Sequence, residues 1–208
     1  MFRHKLLIAS LALCASAGPA LAQRQMSPSG TSATQVLGKW SGDPDRRSYS
    51  EGKWVEIRYG RPILRGRTEI FGKGADYGKA VNAGAPVWRA GANETTRLKT
   101  DAALVIGGKR IEPGEYSLFV ELKESGWTLI VSSQPYQRSY NEEEKVSTWG
   151  AYNYDKKYDI VRVPMTMVTP PVSVDQLTIG FADVTQNSGK ISIAWEKTEA
   201  VAPFTASP

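Results

Sequence analysis

Two segments of this 208-residue sequence hold the side chains best suited to chemistry. One is Val87-Trp88-Arg89-Ala90-Gly91-Ala92-Asn93-Glu94-Thr95-Thr96. The other runs from Tyr59-Gly60-Arg61-Pro62 through Arg65-Gly66-Arg67 to Ile70-Phe71-Gly72. Trp88 offers a flat apolar face with one N–H donor, and Arg89 a rigid fork of donors that matches a carboxylate. Asn93 donates and accepts, and Glu94 accepts when ionised. Together these groups could line a ligand site. They could equally form a buried Arg89–Glu94 pair with Trp88 packed over it, in which case truncating the arginine would cost about 3–5 kcal/mol. Arg58, Arg61, Arg65 and Arg67 read either as surface charge with a structural pair, such as Arg58 with Glu56 on one strand face, or as a subsite for a carboxylate or phosphate. In Trp149-Gly150-Ala151-Tyr152-Asn153-Tyr154, followed by Asp155 and Tyr158, the alternating rings suit a strand at a sandwich rim, or stacking on a sugar face or a protein partner. The ligand-site reading therefore rests on Trp88, Arg89, Asn93, Glu94, Arg61, Arg67, Trp149 and Tyr152.

The remaining chemistry is bounded by what the chain lacks. Its single histidine, His4, and single cysteine, Cys14, lie in a segment that reads as a cleaved export signal. Arg3 and Lys5 supply the positive start, Leu6 to Leu13 is apolar apart from Ser10, and Ala20-Leu21-Ala22 is a small-x-small cleavage site before Gln23. That apolar run is shorter than the roughly 20 residues a membrane helix needs. Cleavage after Ala22 leaves 186 residues without imidazole or thiol and takes the net charge from +5 to +3. A disulfide, a Cys/His zinc site, a cysteine nucleophile and a Ser-His-Asp triad are then all excluded from the mature chain.

Acid–base work would fall to Asp, Glu, Lys or Tyr. A carboxylate pair of the glycoside-hydrolase kind is the best remaining option, with Glu94, Asp76, Asp155 and Asp159 as candidates by local context. No residue is assigned as catalytic, and no metal ligand or cofactor is expected: no Asp-rich calcium loop is present. There is no Lys/Arg-rich run to support nucleic-acid binding, and no second apolar stretch reaches membrane length. The chain is expected in the periplasm or outside the cell, with a small molecule or glycan as partner.

These residues must be positioned by strands. Apolar residues recur with a period of two, the mark of a half-buried strand: Val55, Ile57 and Tyr59; Tyr116, Leu118, Val120 and Leu122; Trp127, Leu129 and Val131; Val161, Val163, Met165 and Met167; Leu177, Ile179 and Phe181; Ile191, Ile193 and Trp195. Gly107-Gly108 between two apolar runs predicts a two-residue hairpin. Pro113-Gly114 suits a type II turn with glycine at positive φ, and Pro164 puts its strand at an edge or a bulge. The best helical candidate is Gln134 to Lys145, and its apolar spacing is weak. The organisation expected is a signal at 1–22, a flexible lead-in at 23–34, one domain at 35–204 and a tail at 205–208. Many short strands with frequent turns make the fold class all-β, a single-domain antiparallel β-sandwich of jelly-roll or Ig-like topology.

The sequence also resembles a bacterial family known as the domain of unknown function 2911 (DUF2911). The resemblance is carried by Arg61-Pro62, Gly66-Arg67, Phe71-Gly72, Trp88-Arg89-Ala90-Gly91-Ala92-Asn93-Glu94, Ile106-Gly107-Gly108-Lys109, Pro113-Gly114-Glu115-Tyr116-Ser117-Leu118-Phe119, Trp149-Gly150-Ala151-Tyr152 and Ala194-Trp195-Glu196-Lys197. It spans Ser27 to Phe204. It implies an exported, β-rich bacterial protein and brings no catalytic assignment with it. The function expected is that of a non-catalytic ligand-binding envelope domain, with glycan as one ligand class. The alternatives are a carboxylate-dependent glycoside hydrolase and a structural partner in an envelope assembly.

Overall fold

The computed structural model describes residues 27–208, so the export signal read at residues 1–22 lies outside the described residues. In chain order the strands are β1 Ser29–Val36, β2 Lys39–Ser41, β3 Ser48–Ser50, β4 Lys53–Gly60, β5 Thr96–Thr100, β6 Ala103–Ile106, β7 Lys109–Ile111, β8 Gly114–Lys123, β9 Gly126–Ser132, β10 Asp159–Pro164, β11 Thr166–Val168, β12 Val174–Ala182, β13 Ser188–Glu196 and β14 Thr198–Ser207. Among the described residues helix is confined to α1, Lys79–Asn82, and two 3-10 turns, Gly74–Asp76 and Lys156–Tyr158. One sheet has the order β1-β4-β5-β8-β9-β10 and the other β12-β13-β14-β6-β7, with β11 also paired to β14. A separate hairpin joins β2 to β3, and every strand pairing is antiparallel. The molecule is an all-β sandwich.

The period-two pattern fixes which face is buried. Val55, Ile57 and Tyr59 of β4 are buried while Arg58 between them is exposed. Burial alternates without a break along β13. Ile57, Leu98, Leu118, Val120, Leu129 and Val131 from one sheet meet Leu104, Ile106, Leu177, Ile179, Ile191 and Phe204 from the other in one core. Removing this apolar area from water at about 25 cal/mol per Å² is the driving force for closure. The Tyr59 hydroxyl ties the layers together, donating to the Ile179 carbonyl at 3.1 Å and accepting from its amide at 2.9 Å. A smaller cluster of Val87, Phe119, Ile130 and Ala151 covers the outer face of β8 and β9.

Several sequence expectations are corrected. The stretch 29–34, read as part of a flexible lead-in, belongs to β1 and pairs residue for residue with β4; its Ser and Thr side chains hid a strand whose backbone does the bonding. Residues 205–207, read as tail, complete β14 opposite Ala103 to Val105. The run Val161 to Met167 is two strands. β10 is an edge strand of one sheet, and after Pro164, which lacks an N–H, the chain crosses to pair β11 with β14 of the other. Gly107 and Gly108 do form the hairpin, with φ of 57° and 77°, but Gly114 is no turn residue and opens β8 opposite Thr100. Residues 134–145 contain no helix, and Trp149 to Tyr154 are turns closed by a single Trp149–Tyr152 bridge.

Candidate functional site

Trp88 organises the site from inside the core. Its backbone exchanges two hydrogen bonds of 2.8 Å with Val120, taking the place beside β8 that β5 leaves after Leu118. Its ring is 1% exposed and packs on Phe71 at 5.7 Å, Trp127 at 5.8 Å and Trp195 at 6.3 Å. A ring so covered offers no face to a ligand. Trp88 is an anchor, and the residues after it form the surface.

The chain then turns sharply, with Ala90 at φ 48° and Asn93 at φ 64°. A left-handed alanine is strained by roughly 1–2 kcal/mol, and here it is locked in place by full burial. Gly60 makes the packing possible, since a Cβ there would overlap the carbonyl oxygen of Ala92. Asn93 is exposed, and its amide donates to the Ser27 carbonyl at 3.2 Å.

A cavity of about 520 Å³ lies between this turn, the loop from Pro62 to Ile70, α1 and Trp195. Arg65, Arg67 and Arg89 line it, and among the described residues no aspartate or glutamate does. The loop is held on three sides. Leu64 and Leu177 bond across to Asp175 and Pro62 at 2.8 and 2.9 Å. Arg65 and Gly66, with φ of 51° and 80°, make the two-residue turn that returns Arg67 to the Leu64 carbonyl at 3.1 Å. The Glu196 carboxylate accepts from the amides of Glu69 at 2.6 Å and Ile70 at 3.1 Å.

The three arginines differ. Arg67 donates to the carbonyls of Leu64 at 3.0 Å and Ile63 at 2.8 Å, so its guanidinium is partly satisfied within its own turn. Arg65 is exposed. Arg89 is half-buried, and its Nε is buried with no hydrogen-bond partner among the described residues. Burial pulls its pKa below the ordinary arginine value, and the titratable group beside it is the Tyr152 phenol. The guanidinium rests against Gly150, where a Cβ would overlap Nη1. The Trp149–Tyr152 turn is fixed in turn by Thr95, whose hydroxyl donates to the Gly150 carbonyl at 2.9 Å.

Arg67 and Arg89 thus line one cavity, and Tyr152 and the Asn93 carbonyl lie beside Arg89; the other candidates are placed elsewhere. Glu94 does not pair with Arg89: it lies 3.9 Å from Arg58, in a separate pocket with Arg97, Lys99 and Glu115. Arg58 accordingly pairs with the loop that precedes β5 and not with Glu56. Arg61 lies over Gly30, its own Nε buried with no hydrogen-bond partner among the described residues. Trp149 is half-buried beside Tyr140, at 6.1 Å. The carboxylates considered for acid–base work are dispersed. Asp76 pairs with Lys79 at 2.9 Å, Asp155 with Lys157 at 2.7 Å and Asp159 with Arg162 at 2.8 Å. Among the described residues no group of three or more His, Cys, Asp or Glu could hold a metal ion, and no helix is long and apolar enough to cross a membrane.

Sequence reasoning missed Trp195 and Glu196, one walling the cavity and the other clamping its loop. Both sit at the end of β13, where alternation signals a core strand and nothing signals a site.

The fold is that of an antiparallel β-sandwich protein. Residues 45–204 match the family described as "Protein of unknown function (DUF2911)", and the chain belongs to it. No curated protein matches the chain, and no solved structure does.

Proposed function

We propose that this chain is an exported, non-catalytic binding domain for a small anionic molecule, whose carboxylate or phosphate group seats against Arg89. The observation that supports the reading is a half-buried arginine, its Nε without a hydrogen-bond partner, lining a cavity that no carboxylate lines among the described residues. A buried unpaired charge costs stability, and an anion that supplies charge-assisted hydrogen bonds would relieve that cost. Ile63, Ile70, Val81 and Trp195 give the cavity apolar walls for the body of such a ligand. Hydrolysis by paired carboxylates has no counterpart there, since among the described residues no acidic side chain lines the space.

The test is a thermal melt in phosphate, sulfate, citrate and acetate against chloride of equal ionic strength. At least one of these anions is expected to raise Tm beyond chloride, by about 2–4 °C for each kcal/mol of binding, and Arg89→Met is expected to abolish the rise. Identical melts in every salt, or a rise that survives in Arg89→Met, would overturn the proposal.

A further inference from the structure

We propose a second binding site, for a neutral saccharide, in the cleft formed by Trp40, Tyr49 and Trp54. It is lined by different residues from the Arg89 cavity and does not depend on it.

Two tryptophans stand open to water here, Trp40 at 65% and Trp54 at 46% exposure. Exposed apolar rings that adjoin in one cleft, rather than being scattered singly, mark a candidate interaction surface. Register places them deliberately. Trp40 lies directly opposite Tyr49 in the β2–β3 hairpin, and Trp54 directly opposite Gln35 between β1 and β4. The Trp40 and Tyr49 rings are 5.0 Å apart and tilted by 57°, which makes a concave corner.

The corner is preorganised. The Tyr49 ring lies against Gly38 and Gly52 so closely that a Cβ on either would overlap it, and its hydroxyl accepts from the Gly38 amide at 2.8 Å. The opposite wall, Thr185 and Gln186, is tied to the same glycine, the Gln186 side chain donating to the Gly38 carbonyl at 3.2 Å.

The lining chemistry selects the occupant. The cleft measures about 460 Å³, and among the described residues no charged side chain lines it, although the sequence is 23% charged. An ionic ligand would find no counter-charge. What is offered is aromatic faces, which stack on the C–H face of a pyranose, beside amide and hydroxyl groups of Gln35, Gln186 and Thr185, which match sugar hydroxyls. Among the described residues the indole N–H groups with protein acceptors are those of Trp127 and Trp195, so those of Trp40 and Trp54 remain as further donors. A lipid or an apolar protein face would leave these polar groups unpaired.

The experiment is affinity electrophoresis of the purified protein in native gels containing laminarin, xylan, galactomannan, hydroxyethyl cellulose or glycogen, with alginate as an acidic control. Retardation is expected in at least one neutral gel. Trp40→Ala should weaken it about tenfold, and the Trp40→Ala/Trp54→Ala pair should abolish it, in proteins whose far-UV spectra and melts match wild type. Arg89→Met should retain it, which separates failure of this site from failure of the Arg89 cavity. Migration unaffected by any neutral polysaccharide, retardation unchanged in the double variant, or a concentration-dependent dimer that Trp40→Ala converts to monomer would each overturn the saccharide assignment.

Discussion

Arg89 and Gly150 are complementary: the guanidinium occupies the space that a side chain on residue 150 would fill. Gly150 also has φ 60°, so the position excludes other residues on two counts. One count is backbone strain; the other is direct overlap with Nη1.

Gly150→Ala is therefore expected to lose at least about 1–2 kcal/mol from the left-handed backbone alone and to push Arg89 out of its seat. Urea denaturation measures the first effect, and the Tm response to anions measures the second. Wild-type values in both would place the arginine elsewhere.

Arg89→Met separates the two readings of the Trp88–Glu94 segment. A buried pair with Glu94 would make the substitution cost about 3–5 kcal/mol. With Glu94 engaged by Arg58 at 3.9 Å, the methionine instead removes an uncompensated charge from a half-buried position. Unfolding stability without added anion is expected to stay level or rise, as it does when a functional residue is traded for stability. A loss on the scale of a broken buried pair would contradict this arrangement.

Phe71→Ala should be among the most damaging substitutions. Its ring meets Trp88, Trp127 and Trp195 at 5.7, 4.8 and 6.1 Å, and emptying that space costs about 3–5 kcal/mol. Trp40→Ala, on the exposed hairpin, should stay within about 0.5 kcal/mol of wild type. Denaturant midpoints for the two variants measure the contrast, and similar losses would show that the hairpin ring is structural.

The pH dependence should centre on the outer face of β8 to β10. There Tyr154 donates to Asp159 at 2.6 Å, and Arg162 donates to Asp159 at 2.8 Å, to Tyr154 at 3.1 Å and to Glu121. Burial, reinforced by the Asp159 carboxylate, pushes the Tyr154 hydroxyl well above the usual phenol value. Its contribution to stability is therefore complete below the unfolded value of about 10 and is lost as pH rises toward the folded one. Burial alone would raise Glu121, but Lys123 and Arg162 outweigh it and hold the carboxyl below its usual range. That contribution is present above about pH 4.3 and is lost as pH falls. Melts across pH should show a shallower alkaline limb for Tyr154→Phe and a shallower acid limb for Glu121→Gln. Limbs parallel to wild type would rule out these two groups as the source.

Much of the architecture was legible in the chain because a strand's side chains alternate, and burial follows the alternation. The β4 and β13 faces, the Gly107-Gly108 hairpin and the edge position of the Pro164 strand all follow from local chemistry. So does the exposure of Trp54, which shares its parity with Glu56 and Arg58. Polar β1 escaped notice because its pairing is made by backbone, which carries no compositional mark.

Partnership across the fold was decided by tertiary structure alone. Periodicity says which face a residue takes but not what stands opposite it. That Glu94 meets Arg58, that Trp88 turns into the core while Arg89 is left without a carboxylate, and that Trp195 walls the same cavity all depend on contacts between segments distant in sequence. Such contacts are set by how two twisted sheets close and how glycines such as Gly60 and Gly150 let loops approach them, and local residue order does not encode that closure.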